Sequence, residues 1–356
     1  MYTRLLTEPP FKLVRHGKPA FGTYKGVPSR LDIKGIEAPF GGFPLPPALT
    51  RFRIRSHMAF LFNIGDYIGS AQFFDAKVTG FAEVIFWNMK TNTKLAYRTL
   101  VGPRSRLVPV RMSNAICASF RKSRYIRISW DRRYNRISLL FNVKGDSVRS
   151  SANAAFIGRF TDQAMAEIVS VMPAPTMRRC SATWTAAMPI HGALSLSATK
   201  NTAQKTMPDA DGIGMLTMNR SYYKFRTRFD ILSGLGKSGE KKIQLRLVTS
   251  SLDAADTNKY NANVLFSDGT VTPLPQVYMT HPFGMNGKWI IQDTESMVDL
   301  EFIPISNSLR KMNAVIISTV YHMIYGTMEG TLLTKDGEKI ELHNFPGILQ
   351  TSTLRL

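Results

Sequence analysis

The sequence has few cysteines, no long apolar run and few acidic residues in its first half. Its 356 residues include two cysteines, Cys117 and Cys180, which excludes a disulfide framework and a cysteine-based zinc site. No stretch approaches the roughly 18 uninterrupted apolar residues that span a bilayer as a helix. The first residues lack the apolar core of a secretory signal, so secretion is not expected.

Motifs that bind cofactors or carry out catalysis are also missing. The chain has no phosphate-binding GxxxxGK[ST] loop, no dinucleotide-binding GxGxxG, no HExxH and no GxSxG. None of its six histidines is paired at the i,i+4 spacing of a helical metal site. The sequence therefore predicts no cofactor and no metal. The histidines are most simply scattered surface or core residues: His16, His57, His191, His281, His322 and His343.

Positive charge is abundant and concentrated in the first half. The chain has 46 Lys and Arg against 25 Asp and Glu, a net charge of +21. Residues 1–180 hold 29 basic and 10 acidic side chains, whereas residues 181–356 hold 17 and 15. A charge this one-sided favours an anionic partner for the first half.

Short strands with period-two alternation dominate both halves. Residues 125–130 alternate apolar and polar side chains, residues 131–135 resemble a turn, and residues 137–143 return as a second strand. The SDG and KDG triplets, at residues 267–269 and 335–337, are typical of hairpin turns. Many short strands separated by turns predict an all-β protein with two antiparallel barrels or sandwiches in tandem.

Proline and glycine divide the chain into three predicted parts. Residues 1–50 are rich in both, which predicts an extended arm anchored by phenylalanines such as Phe11, Phe21, Phe40 and Phe43. Residues 161–170 resemble a helix that ends before Pro173. We therefore expect an arm at 1–50, a basic β domain at 51–172 and a second β domain at 173–356.

A basic segment between residues 98 and 136 is the most informative local feature. It holds eleven Lys and Arg against one acid, Asp131, interleaved with aromatic residues. Arginine binds phosphate in a bidentate manner, so RNA, anionic lipid or an acidic subunit are candidate partners. Nothing resembles a defined RNA-binding module, which disfavours nucleic acid. The predicted lipid- or partner-binding residues are Arg121, Arg124, Arg127, Arg132, Arg133 and Arg136.

Segments in both halves resemble one known family. HMAFLFNIGDYIGSAQFF, DADGIGMLTMNRSYYKFRTRFDILSGLG and YGTMEGTLLTKDGEKIELHNFPG are similar to the family of domain of unknown function 2804. That family looks related to tandem lipocalin-like β proteins, among them the carotenoid hydratase group. The resemblance therefore implies two lipocalin-like halves, in agreement with the strand pattern.

The central motif of the family is only partly present. The family pattern has an acid followed by Arg-Gly and then Trp-x-Trp; here Arg220 is kept, Ser221 replaces the glycine and the tryptophans are missing. The resemblance implies a vestigial family site with Arg220, Asp230 and His191. The departures predict a protein that is not an enzyme.

Two functions are expected from these observations. The first is a non-catalytic accessory subunit of a large mitochondrial inner-membrane complex, such as a divergent ATP synthase or a respiratory complex, that contacts other subunits and cardiolipin; a mitochondrial ribosomal protein is the next candidate. The choice of complex rests on the family resemblance. The alternative is an enzyme or carrier for an isoprenoid or other lipid, which would lie inside one barrel.

Overall fold

The structure is a computed structural model that describes residues 4–41, 45–77, 79–102, 107–199, 204–254, 256–313 and 318–355. Within these ranges the chain forms strands and one short helix, α1 (Pro47–Phe52). The all-β prediction is therefore confirmed. Apart from a small hairpin, β2 (Val14–Arg15) and β3 (Lys18–Pro19), the strands belong to two curled sheets in tandem.

The first sheet has 13 strands, nearly all antiparallel. Its main path runs β8-β7-β6-β5-β15-β14-β12-β11-β10-β9, while β13 adds β4 and β1 to the side of β14. Its strands are β1 (Leu6–Thr7), β4 (Gly22–Lys25), β5 (Ile54–Ile64), β6 (Tyr67–Asp75), β7 (Gly80–Asn88), β8 (Lys94–Val101), β9 (Asn114–Arg121), β10 (Arg124–Asp131), β11 (Arg136–Val143), β12 (Ala152–Gly158), β13 (Ala166–Pro173), β14 (Cys180–Leu196) and β15 (Lys205–Tyr222).

The second sheet has nine antiparallel strands in the order β19-β18-β17-β16-β24-β23-β22-β21-β20. The predicted turn at residues 267–269 joins β18 to β19, with positive φ angles at Asp268 and Gly269. The strands are β16 (Arg226–Ser238), β17 (Lys241–Ser250), β18 (Val264–Ser267), β19 (Thr270–Pro273), β20 (Val277–Thr280), β21 (Trp289–Asp293), β22 (Val298–Asn313), β23 (Ser318–Leu333) and β24 (Lys339–Arg355).

Two of the sequence expectations are wrong. Residues 166–173 form strand β13, not the end of a helix, because both faces of this segment are covered. Ile168 packs toward the second half, and Val169 and Val171 pack into the first. The chain also leaves the first sheet after Tyr222, not after residue 172, since the long hairpin β14–β15 completes that sheet.

Several strands of the first sheet contribute to two different cores. In β5, Met58 and Phe60 lie inside the curl of the sheet, whereas Ala59 and Leu61 lie in a cluster between the two sheets. This follows from the period-two alternation of side chains in a strand. The second sheet has its own inner core around Leu245 and other apolar residues. The outer faces of the two sheets therefore pack against each other.

The N-terminal arm is extended as predicted, and of its predicted anchors Phe21 and Phe40 pack against the first core. Leu13, Leu31 and Ile33 lie in the first core, whereas Phe11 is 70% exposed. Arg4 reaches the second half, where its guanidinium donates to the carbonyl of Asn263 at 2.7 Å. The arm thus covers the first half and touches the second. Phe43 lies outside the described residues.

Helix α1 is six residues long. Among the residues that the structure describes, no helix is long and apolar enough to cross a membrane.

Candidate functional site

A cavity of about 370 Å³ lies at one end of the contact between the two sheets. The residues that line it continue the outward faces described above: His57 lies two residues before Ala59 on β5, and Tyr321 lies two residues before Met323 on β23. The cavity lies between the sheets, not inside either curl, where the sequence-based alternative placed the ligand. Inside the first curl, aromatic rings fill the space; those of Phe62 and Phe156 are 4.9 Å apart.

The wall of the cavity is mainly apolar. Both sheets contribute to it, and polar side chains from several strands also reach the cavity. The apolar lining residues include Phe74, Phe81, Leu100, Met172, Tyr223, Phe229, Ile231, Val248, Leu252, Ala262 and Leu354. The principal polar ones are His57, Gln72, Arg98, Asn219, Arg246, Asp253, Arg310, Lys311, Tyr321 and Gln350.

A hydrogen-bond network joins the two sheets along one wall. The Gln72 amide donates to the Glu83 carboxylate at 2.6 Å and to the Tyr321 hydroxyl at 2.9 Å. Glu83 is fully buried and also pairs with the guanidiniums of Arg98 and Arg310. Two cations share one carboxylate, so this wall carries a net positive charge.

Arg310 is held by rings as well as by charge. Its guanidinium lies 3.9 Å from the centre of the Phe81 ring and 4.5 Å from that of Tyr321. Such cation–π contacts are stronger where water is excluded. Arg310 is thereby fixed between a residue of each sheet.

His57 is a neutral side chain in this site. Burial lowers its pKa to about 4, and the nearby positive charges of Arg246 and Arg310 act in the same direction. Its Nε2 atom lies 3.1 Å from the Gln72 side-chain oxygen. Since a carbonyl oxygen only accepts, the proton of the neutral ring is on Nε2 in this contact, which leaves Nδ1 as an acceptor.

Arg246 is the least compensated charge of the site. It is 6% exposed, and its Nη1 atom is buried without a hydrogen-bond partner among the described residues. Burial lowers the pKa of the guanidinium to about 10, and no neighbouring carboxylate counteracts that effect. At neutral pH the cavity therefore contains a buried cation.

Among the described residues of the lining, Asp253 is the acidic one. Burial raises the pKa of this carboxyl to about 6, although the backbone N–H of Ser250 donates to it at 2.7 Å and works in the opposite direction. The charge of this carboxylate is outnumbered by four basic side chains of the same lining: Arg98, Arg246, Arg310 and Lys311.

The donor set suits binding of a small molecule better than metal or thiol chemistry. Among the described residues, no group of three or more His, Cys, Asp or Glu side chains could hold a metal ion. Cys117 and Cys180 are buried in the first core, and burial raises the pKa of the Cys180 thiol. An apolar space with a few convergent polar groups is the usual form of a small-molecule site.

The three residues of the predicted vestigial site do not come together. The Arg220 guanidinium lies in the first half, where it donates to the Val108 carbonyl at 2.6 Å. Asp230 pairs with Arg228 at 3.2 Å on the inward face of the second sheet. His191 is exposed beside Asp211, nine residue pairs along the β14–β15 hairpin from Arg220. That separation is about 30 Å at the rise of a β-strand.

Three of the six arginines predicted to contact lipid bind other groups of the same protein. Arg132 makes a bidentate ion pair with Glu167, at 3.1 and 2.6 Å. Arg121 and Arg124 donate to backbone carbonyls of β8, those of Leu100 and Arg98. These contacts account for part of the basic character of the segment.

Three arginines donate hydrogen bonds to an edge strand of the first sheet, along the seam between its two edges. Strands β8 and β9 are the two edges of its main path, and among the described residues no strand pairs with the outer side of β8. Arg121 and Arg124 bond its carbonyls as described, and Arg149 donates to the carbonyl of Ala96 at 2.7 Å. The three acceptors are alternate residues of β8. We call these three arginines the seam arginines.

The other predicted lipid-binding residues remain near the surface. Arg133 and Arg136 are exposed, and Arg127 is half-buried. Arg104 and Arg106 of the same basic segment lie outside the described residues. Lipid binding by this face stays a prediction.

Sequence reasoning missed His57, Arg246 and Tyr321. In β17 the pattern Ile243, Gln244, Leu245, Arg246, Leu247 is that of a half-exposed strand, because polar residues alternate with apolar ones. The first sheet covers the polar face of this strand, and no local signal reports that.

The chain is similar to a family and to several solved structures. The profile of the family described as domain of unknown function (DUF2804) matches residues 5–355. No curated protein sequence matches the chain. Among solved structures, a candidate AttH protein from Nitrosomonas europaea has a TM-score of 0.50 and 9% identity, over 89% of this chain and 98% of that one. This similarity shows the fold, two lipocalin-like sheets in tandem.

Two further structures are similar at lower scores. CghA, crystallised with Sch210972, has a TM-score of 0.47 and 11% identity, over 85% of this chain and 89% of that one. Kievitone hydratase from Nectria haematococca has a TM-score of 0.41 and 9% identity, over 85% and 88%.

Proposed function

This chain is a member of the DUF2804 family, and we propose that it binds an apolar small molecule in the cavity between its two sheets. The single observation that carries this proposal is the mainly apolar cavity of about 370 Å³ between the sheets. Small-molecule sites span roughly 300–1,000 Å³ and combine apolar walls with a few polar groups. The cavity has that size and that composition.

The cavity lining is better suited to holding a ligand than to packing. A protein interior is close-packed, and an empty apolar space forfeits the contacts that its walls would otherwise make. Here side chains such as Ile231, Val248 and Leu252 line the space, while the apolar residues of the two inner cores are buried in clusters of their own. An apolar ligand would restore those contacts.

This proposal develops the alternative expected from the sequence, an enzyme or carrier for a lipid. If the protein catalyses a reaction of the ligand, it needs acid–base groups, and neutral His57 and Asp253 are the candidate acid–base residues in the lining. The accessory subunit, the mitochondrial location and the cardiolipin contact stay predictions.

The test is binding of Nile red, an uncharged apolar fluorophore, and its displacement by dodecan-1-ol. Val248→Trp places an indole in the cavity, and Val148→Trp adds the same ring at a position that is 77% exposed. We expect Val248→Trp to weaken binding at least tenfold and Val148→Trp to leave it within twofold of wild type.

Equal binding by wild type and Val248→Trp would overturn the proposal. A thermal unfolding midpoint measured for each variant verifies that it is folded. If Val248→Trp does not fold, Ala262→Leu narrows the same cavity with a smaller addition, and the same two outcomes apply.

A further inference from the structure

We infer that the ligand of this cavity carries an anionic head group, a carboxylate or a phosphate, that pairs with Arg246. The inference rests on the proposed function, since it names the chemical class of the molecule that the cavity would take. Its basis is the position of Arg246 and the absence of a partner for its charge among the described residues.

The alternation of β17 directs Arg246 at the cavity. Ile243, Leu245 and Leu247 lie in the inner core of the second sheet, so the residues between them point to the first sheet. Arg246 and Val248 accordingly line the cavity. The guanidinium is thus at the wall of an apolar space, in a residue that is 6% exposed.

Within the part of the chain that the structure describes, no carboxylate pairs with this cation. Its Nη1 atom has no hydrogen-bond partner, and none of the ion pairs among the described residues includes Arg246. Arg98 and Arg310, in contrast, share Glu83. Burying an unpaired charge is strongly unfavourable, whereas a paired one is tolerated. A ligand anion would supply the missing partner.

The other charges of the lining leave room for this anion. Asp253 lines the same cavity but accepts the Ser250 N–H, and no ion pair joins it to Arg246. His57, beside Arg246, is neutral. The planar fork of an arginine matches carboxylate and phosphate oxygens in a bidentate manner. The apolar wall would hold a hydrocarbon body next to that head group.

The experiment compares dodecanoate and dodecyl phosphate with dodecan-1-ol, which has the same chain without the charge. Displacement of Nile red by each compound, below its critical micelle concentration, is measured for four proteins: wild type, Arg246→Met, Arg246→Lys and Arg159→Met. Arg159 is exposed and outside the cavity, so its variant controls for the loss of one positive charge.

We expect wild type to bind at least one of the two anions tenfold or more tightly than the alcohol. Arg246→Met should abolish that preference, so that the anions bind no more tightly than dodecan-1-ol. Arg246→Lys should retain part of it, and Arg159→Met should retain all of it. Tenfold corresponds to 1.4 kcal/mol.

The possible failures are distinguishable. If wild type binds none of the three dodecyl compounds, the proposed function fails and this inference fails with it. If all three bind with equal affinity, and Arg246→Met changes none of them, the cavity binds apolar chains but the anionic head group is wrong.

A change in the stability of Arg246→Met separates ligand binding from a structural role. Removing an unpaired buried cation should raise the unfolding midpoint of the ligand-free protein. A variant that unfolds at a lower temperature than wild type would mean that Arg246 has a protein partner, which contradicts the inference.

Discussion

The side-chain amide of Gln72 in the first sheet donates a hydrogen bond to the hydroxyl of Tyr321 in the second sheet, at 2.9 Å. The two residues are 249 positions apart in the sequence. Both are buried and both line the cavity. The wall of the proposed site is therefore also a polar bond between the two halves.

Tyr321→Phe tests the contribution of this bond. The variant leaves the ring over which Arg310 lies and removes the hydroxyl that bonds Gln72. A buried hydrogen bond contributes about 1 kcal/mol, and an unsatisfied partner adds to the loss. We expect urea denaturation to show a decrease of 1–2 kcal/mol in the free energy of unfolding, about the sum of these effects. Tyr278→Phe, at a position that is 54% exposed, should change it by less than about 0.5 kcal/mol.

Asp253 and His57 give stability opposite dependences on pH. The pKa of Asp253 is raised to about 6 in the folded state, so the folded protein binds more protons than the unfolded chain between about pH 4 and 6. Stability from this group falls as the pH rises through that window. The pKa of His57 is lowered to about 4, so the unfolded chain binds more protons between about pH 4 and 6.5, and stability rises with pH there.

Two variants should separate these opposing effects. Asp253→Asn removes the fall and leaves the rise due to His57, so its free energy of unfolding should increase from pH 4 to 6.5 more steeply than that of wild type. His57→Gln should do the reverse. Urea denaturation at half-unit pH steps measures both slopes. Parallel curves for wild type and both variants would contradict this assignment.

The seam arginines should hold the edge strand β8 in place. In the triple variant Arg121→Met, Arg124→Met and Arg149→Met, three carbonyls of β8 lose their donors. Each such bond contributes about 1 kcal/mol, so local opening of β8 becomes more frequent. Amide hydrogen exchange in residues 94–101 should accelerate at least tenfold.

A double variant of exposed arginines in the same hairpin is the control for the seam. Arg133→Met and Arg136→Met also remove positive charge but no bond to β8. Exchange in residues 94–101 should be unchanged in this variant. Equal acceleration in the two variants would mean that net charge, and not the bonds to β8, governs the exchange.

The predicted lipid contact is best tested at the exposed end of the basic hairpin. Arg133→Glu with Arg136→Glu should weaken sedimentation with cardiolipin-containing vesicles several-fold at 0.1 M salt, because each basic residue near an anionic surface contributes about 1 kcal/mol. Arg132 is left unchanged, since its reversal would break the pair with Glu167. Binding equal to that of wild type would refute a lipid role for this end of the hairpin.

Period-two alternation carried the fold prediction, and it was sufficient where one face of a strand meets a core. The hairpin of residues 124–143 follows the pattern of Ile126, Ile128 and Trp130 closely. The pattern failed at residues 166–173, where both faces of β13 are covered and the alternation disappears. The junction was misplaced because Pro173 and Pro175 suggest a break, while the hairpin that follows returns to the first sheet.

The site could not be predicted from local patterns. His57, Arg246 and Tyr321 lie on strands β5, β17 and β23, and each is ordinary within its own strand. Their proximity arises from the packing of the two outer faces, which depends on the whole fold. The basic segment has the stronger signal in the sequence, although part of its charge is used in the bonds to β8 and in the ion pair with Glu167.

The most direct test of the account is methyl NMR of the protein with a nitroxide-labelled dodecan-1-ol. A ligand between the sheets should broaden the methyl signals of Ile231, Val248 and Leu252, which line the cavity. The methyl signals of Ile128 and Leu139, in the core of the first sheet, should stay sharp. Broadening of Ile128 and Leu139 without that of the cavity residues, or no broadening at all, would contradict the proposal that the cavity between the sheets binds an apolar ligand.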